Sequence, residues 1–288
     1  MLRAPLLSTL RRRTALAVAL LASVCALSDA ASAQYAEGGA RSLAMGRTGV
    51  ASGGLTWGQA NPATWATAER GLGLEASQAY GLGELRLAGA SASLPLALGT
   101  LAATGRTYGT DGYSETRLML GLGRTLPLSS TRRLSVGVAL GYDALSIDEF
   151  GSRGTVALSL GMQGEVVPGL RAGLALKNAL GLADDAEADL TRPLGAVPSV
   201  AAGLEYAPSD RSRLALDVVQ DMDGALAVRA GLEAQIVDAL ALRGGVGTAP
   251  VTYSAGVGIA AGPVRADLGV ELHQALGLTP AVSLQTQF

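Results

Sequence analysis

The sequence predicts an all-β fold: a transmembrane antiparallel β-barrel of about 14 strands, preceded by an export leader and a glycine-rich segment. Three observations carry the prediction. The first 33 residues are built like a cleavable leader. From Leu72 onward, apolar residues alternate with small or charged ones at period two. The alternating stretches recur at about ten residues each, the length a tilted strand needs to cross a bilayer.

The leader, residues 1–33, has a basic start (Arg3, Arg11, Arg12, Arg13), an uncharged core from Thr14 to Ser28 and a small-residue end, Ala31-Ser32-Ala33. Cleavage is expected before Gln34. The one cysteine, Cys25, lies inside the leader. Val24 stands where a lipid-attachment signal carries a small residue, so a lipid anchor is not expected. Without its leader the chain has 255 residues, with 18 basic against 23 acidic side chains, a net charge of −5. Nucleic acid is therefore not an expected partner, and a thiol-based metal site is excluded.

The stretch Gly38 to Ala63 behaves unlike its neighbours. Seven of its 26 residues are glycine, yet Leu43, Met45, Leu55 and Trp57 lie within it and Trp65 follows closely. A solvated linker is the alternative, but linkers seldom carry Trp, Met and Leu anchors. A compact irregular segment packed inside something larger fits better.

Alternation then runs through the rest of the chain. Leu134, Val136, Val138 and Leu140 face one way and Ser135, Gly137, Ala139 and Gly141 the other. The split recurs at Val156 to Met162, at Leu226 to Glu233 and at Val264 to Glu271. The second face is small, with isolated charges at Glu75, Arg86, Arg117, Lys177, Glu205, Asp217, Arg229, Arg243 and Asp267. Small residues suit a crowded concave interior in which opposite charges can pair, while the apolar face suits lipid. Two uncharged runs, Leu87 to Gly105 and Gly244 to Val264, are long enough for membrane helices. Pro95, Pro250 and repeated glycines favour two strands and a turn in each.

Strands are expected at about 70–80, 84–94, 97–107, 113–124, 133–146, 153–166, 169–178, 197–207, 212–220, 225–236, 239–247, 251–261, 263–273 and 279–288. An even number puts both chain ends on one side. Short turns fall on that side and the longer connections 107–112, 147–152 and 179–196 on the other; Thr125 to Thr131 is a long exception. Tyr80, Tyr108, Tyr113, Tyr142 and Tyr206, near strand ends, fit a sparse interfacial girdle.

Chemistry is thinly represented. His273 is the sole histidine, and no Gly-x-Ser-x-Gly, Walker lysine or Gly-x-Gly-x-x-Gly motif is present. His273 shares a face with Glu271 and Asp267; a hydrolase would also need a serine placed beside it. The acidic loop Asp184-Asp185-Ala186-Glu187-Ala188-Asp189 lacks the ligand spacing of an EF-hand. No enzyme activity and no cofactor are expected.

Two features resemble known proteins. The last strand places Val282, Leu284, Thr286 and Phe288 on one face, and a terminal aromatic there resembles the assembly signal of bacterial outer-membrane barrels. Gly39-Ala40-Arg41-Ser42-Leu43-Ala44-Met45-Gly46, then Val50-Ala51, then Asn61-Pro62-Ala63 resembles the amino-terminal hatch of FadL-like and PorV/PorQ-like outer-membrane proteins. That resemblance implies residues 34–69 folded as a hatch in the lumen of a barrel formed by 70–288. Gly39, Ala40, Arg41, Met45, Gly46, Asn61, Pro62 and Ala63 would be its motif positions. The chain departs from the pattern at Arg47-Thr48, where relatives continue Gly-Ala, and at Ser52-Gly53-Gly54, where an acidic pair is common. The compact outer loops favour the PorV/PorQ branch, implying an accessory of type IX-like protein secretion that binds secretion components or exported proteins. The alternative is a FadL-like passive channel for a hydrophobic solute. Either would sit in outer-membrane lipid of a bacterial cell and use the barrel-assembly machinery.

Overall fold

A computed structural model of the chain describes residues 38–110, 112–129, 132–183, 197–222 and 224–288. The expected leader with Cys25, and the acidic stretch at 184–189, lie outside the described residues.

Fourteen antiparallel strands close into one barrel: β1 (Gly71–Gln78), β2 (Arg86–Leu96), β3 (Gly99–Thr110), β4 (Tyr113–Pro127), β5 (Arg133–Ile147), β6 (Gly151–Val167) and β7 (Leu170–Ala183), then β8 (Ser199–Ser209), β9 (Ser212–Asp221), β10 (Leu226–Val237), β11 (Leu240–Thr248), β12 (Val251–Ala261), β13 (Val264–His273) and β14 (Gly277–Gln287). Each strand pairs with its sequence neighbours. β1 closes the ring by pairing with β14 from Gly71↔Gln287 to Ser77↔Ala281. A barrel is the arrangement of strands that leaves no unpaired edge in lipid. Among the described residues no helix is long and apolar enough to cross a membrane; both uncharged runs are strand–turn–strand units.

The alternating faces sort as their chemistry requires. Leu72, Leu74, Leu118, Leu120, Val138, Leu140, Leu160, Leu174, Leu232, Leu268 and Val282 point outward and are exposed. This apolar belt marks the molecule as an outer-membrane β-barrel, because only lipid makes such a surface stable. Asp143, Glu205, Asp217, Glu233, Arg243, Asp267 and Glu271 point inward and are buried.

Several details differ from expectation. Arg86 faces outward and is exposed at the end of β2, while Leu87 is buried on the lumen side; at a rim an arginine reaches water from either face. Three of the five tyrosines are not part of a girdle. Tyr80 leans edge-on to His273, Tyr108 shares the inward face of Thr104 and Arg106, and the Tyr113 hydroxyl bonds Glu115. Proximity to a strand end does not fix which way a side chain points. Tyr142 and Tyr206 are on the outer surface. The connection at 147–152 is a tight turn, because β5 and β6 run further than expected; β3 likewise extends to Thr110, and β4 absorbs part of the 125–131 turn.

The start of β1 and the end of β14 lie on one rim, where the Phe288 amide donates to the Arg70 carbonyl at 3.0 Å. Phe288 itself is exposed there, beyond the last paired residue of β14. This terminal rim also carries the short turns at 168–169, 210–211, 238–239 and 262–263, the pattern of a periplasmic face. β4 to β7 are the longest strands, and β5 and β6 carry Phe150 at their tip on the opposite rim.

The hydrophobic core is not between sheet layers. It is the chain segment inside the barrel: Ala40, Leu43, Met45, Val50, Leu55, Trp57, Ala63 and Trp65 are all buried.

Candidate functional site in the barrel lumen

The segment from Gly38 to Ala68 crosses the lumen as a short helix and two 3-10 turns. Its first element, α1 (Gly39–Ala44), packs on β1 and β11 to β14. The chain then reverses through Met45, Gly46 and Arg47. Gly46 has φ 67° and Arg47 φ 61°, a left-handed pair, and the Arg47 amide returns to the Ser42 carbonyl at 2.8 Å. Arg47 stands where the resembling sequences carry glycine. Left-handed backbone costs a side-chain-bearing residue about 1–2 kcal/mol. Here the guanidinium makes a bidentate contact with Glu271 at 2.9 and 2.6 Å, which offsets that cost.

Further anchors follow along the same half. Arg41 forms a second bidentate pair with Glu233, at 2.9 and 2.7 Å, and lies over the Trp57 ring at 5.5 Å. Asp217 Oδ2 accepts from the backbone amides of Gly49 and Val50 at 2.7 and 3.0 Å. Ser52 Oγ donates to Glu205, whose other oxygen is held by Arg171 at 2.5 Å. The inward charges of β8, β10 and β13 are thus partners of the segment as well as of each other.

The second half is held differently. Asn61 caps the 3-10 turn Pro62–Thr67, its Oδ1 accepting from the Ala63 amide at 2.9 Å with Pro62 at the first helical position. Its Nδ2 donates to the carbonyls of Val50, at 2.6 Å, and Met162 of β6, at 3.2 Å. One side chain therefore joins both halves of the segment to the wall. Trp65 is fully buried and donates to the Leu55 carbonyl at 3.0 Å.

The wall has a matching seat. A Cβ added to Gly161 would lie 1.9 Å from Asn61 Oδ1, and one on Gly245 2.1 Å from the Gly46 amide nitrogen. Cβ atoms on Gly123, Gly137 and Gly173 would lie 2.3 Å from the backbone of Ala66, Pro62 and Val50. These glycines are in register: Gly123 pairs with Gly137 and Gly137 with Gly161, Gly173 with Gly203, Gly231 with Gly245, Gly256 with Gly269. The inward glycines form a belt that lets another backbone approach the sheet.

All eight motif positions fall in this segment. Ala40, Met45, Gly46, Asn61, Pro62 and Ala63 pack against the wall or each other, Arg41 is an ion-pair anchor, and the Gly39 Cα lies against Glu75 and Ser283. Asp217, Glu205, Glu233 and Glu271 as anchors, and the glycine belt, were not identified from sequence. Their signal is the alternation itself, a charge or glycine at inward positions, but partners across the lumen cannot be read from it. His273 has a local role: its Nδ1 accepts from the amides of Ala275 and Leu276 at 3.1 Å each, capping the turn between β13 and β14. Among the described residues no cluster of three or more His, Cys, Asp or Glu could hold a metal.

No family model matches the chain, and no curated protein matches it. Solved structures do. The toluene transporter TodX of Pseudomonas putida superposes with a TM-score of 0.59 at 13% identity, covering 87% of this chain and 98% of its own. The chain shares its fold with this transporter. CymD, a monoaromatic hydrocarbon channel, superposes with a TM-score of 0.62 at 13% identity, covering 87% of this chain and 97% of its own. Omp33, an outer membrane protein of Acinetobacter baumannii, reaches 0.50 at 8% identity, covering 76% of this chain and 99% of its own. These likenesses bear on architecture and agree with the FadL-like side of the sequence resemblance. They lend no support to the PorV/PorQ side or to a secretion role.

Proposed function

We propose that this protein is a passive outer-membrane channel for small hydrophobic molecules, kept shut by its own amino-terminal segment. In this reading residues 1–33 are a removed leader, 34–69 the plug and 70–288 the channel wall, with Phe288 the assembly signal. The observation that carries it is the fold shared over 87% of the chain with a toluene transporter and a monoaromatic hydrocarbon channel. The occupied lumen supports the closed state: Trp65 and Asn61, both fully buried, stand inside the barrel. Passage then requires the segment to shift or the wall to part. The secretion-accessory reading is set aside in favour of the channel.

The test is uptake of labelled toluene by cells with and without the gene, at matched growth. Slower uptake without the gene is expected. Unchanged uptake together with selective loss of released proteins would return the secretion-accessory reading.

A further inference from the structure

On the terminal rim, between the luminal segment and the wall of β12 to β14, lies a cavity of about 320 Å3 lined by residues that include Arg41, Trp57, Arg265, Gln285 and Gln287. Among the described residues the charges around it do not balance. Arg41, Arg243 and Arg265 there meet two buried carboxylates, Glu233 and Asp267. Arg41 and Arg243 each hold Glu233 at 2.7 Å, and Arg243 also holds Asp267 at 2.8 Å. Arg213 adds a further cation 3.9 Å from Glu233. Arg265 makes no hydrogen bond or ion pair among the described residues, yet it is half-buried on the lumen face between Ala260 and Gln285. The opposing acid on the lining, Glu69, is exposed and screened by solvent.

A half-buried guanidinium that no described carboxylate contacts directly is an energetic liability unless an anion visits it. Its planar fork fits the two oxygens of a carboxylate. One uncompensated cation matches a monoanion better than a phosphate dianion, and the Gln285 and Gln287 amides can donate to the same oxygens. The cavity is at the small end of the range for small-molecule sites, about 300–1,000 Å3, which suits a solute of single-ring size. We infer that this cavity binds a small carboxylate anion at the periplasmic mouth, so that the channel handles organic acids as well as neutral compounds. The inference rests on the channel reading and narrows its solute class.

The test is calorimetric titration of the purified full-length chain, in an uncharged detergent, with benzoate, benzyl alcohol and inorganic phosphate. Benzoate is expected to bind, benzyl alcohol and phosphate far more weakly. Arg265→Gln is expected to weaken benzoate at least about tenfold, roughly the weight of one charge-assisted bond, with Arg265→Lys retaining part. Because Arg265 supports no ion pair, both variants should keep the wild-type melting temperature, which separates a lost site from a lost fold. Equal benzoate binding by Arg265→Gln, equal binding of benzyl alcohol, a preference for phosphate, or no benzoate binding would overturn the inference. Toluene uptake that persists alongside such a result would leave the channel reading standing, so the two failures are distinguishable.

Discussion

The two halves of the luminal segment are held by different physics. Residues 38–54 face β1 and β7 to β14 and, besides their packing, are gripped by carboxylates: Glu233 and Glu271 hold arginines, Glu205 a serine, and Asp217 two backbone amides. Residues 55–68 face β1 to β6, where packing dominates: Trp65 sits with Leu55, Ala102, Met119 and Ala139, and Pro62 and Ala66 lie on bare glycine backbone. The first kind of contact can be exchanged for water and ions. The second can be broken only by opening a void. The contrast predicts that the first half moves more readily than the second, with Gly53 and Gly54 as the joint and Asn61 as the tie that limits it.

The sharpest way to break the comparison is Glu233→Ala. Buried Arg243 and half-buried Arg41 lose their shared partner, and breaking a buried pair costs about 3–5 kcal/mol. A lower melting temperature and higher single-channel conductance are expected; unchanged conductance would mean that the first half does not hold the lumen closed. Gly161→Val attacks the other half by sterics, since its first added carbon collides with Asn61. Overpacking of this kind costs about 1–3 kcal/mol. The expected signature is a red-shifted Trp65 emission in a Trp57→Phe background, and an unshifted spectrum would show that the seat is loose.

Asp217→Ala is a milder change. It strands the amides of Gly49 and Val50, worth about 1–3 kcal/mol for buried groups left unsatisfied. The predicted outcome is faster backbone hydrogen exchange at 46–52 and not at 61–66; equal acceleration in both would merge the two halves into one unit. Salt should act most gently of all. Raising ionic strength from about 0.15 to 1 M shortens the screening length from roughly 8 to 3 Å. The one cysteine of the sequence, Cys25, would be removed with the proposed leader, so single-cysteine probes are clean in the processed chain. A label at Ser42→Cys should react severalfold faster in high salt and one at Thr64→Cys should not. The reverse order would refute the assignment of the movable half.

Much of this was legible before any tertiary structure. Period-two alternation needs only neighbouring residues, and it located all fourteen strands to within a few residues, from Gly71–Gln78 to Gly277–Gln287. The outward and inward faces followed from the same pattern, because lipid accepts Leu and Val while a crowded lumen accepts glycine and paired charge. Trp, Met and Leu within a glycine-rich stretch marked residues 38–63 as packed. Errors clustered at the rims, at Arg86, Tyr80, Tyr108 and Tyr113, where neither lipid nor lumen constrains a side chain.

What only the tertiary structure decided is who meets whom across the lumen. Arg41 and Glu233 are 192 residues apart, and Arg47 and Glu271 are 224 apart. No local pattern couples them; barrel closure and register bring them together. The same holds for the glycine belt. Each inward glycine looks alone like a weak point in a strand, and Gly123, Gly137 and Gly161 become a seat only when register aligns them beneath Ala66, Pro62 and Asn61. Sequence periodicity sets the face of each residue because it is a property of one strand. Partnership is a property of the closed ring, and so it had to wait for the ring.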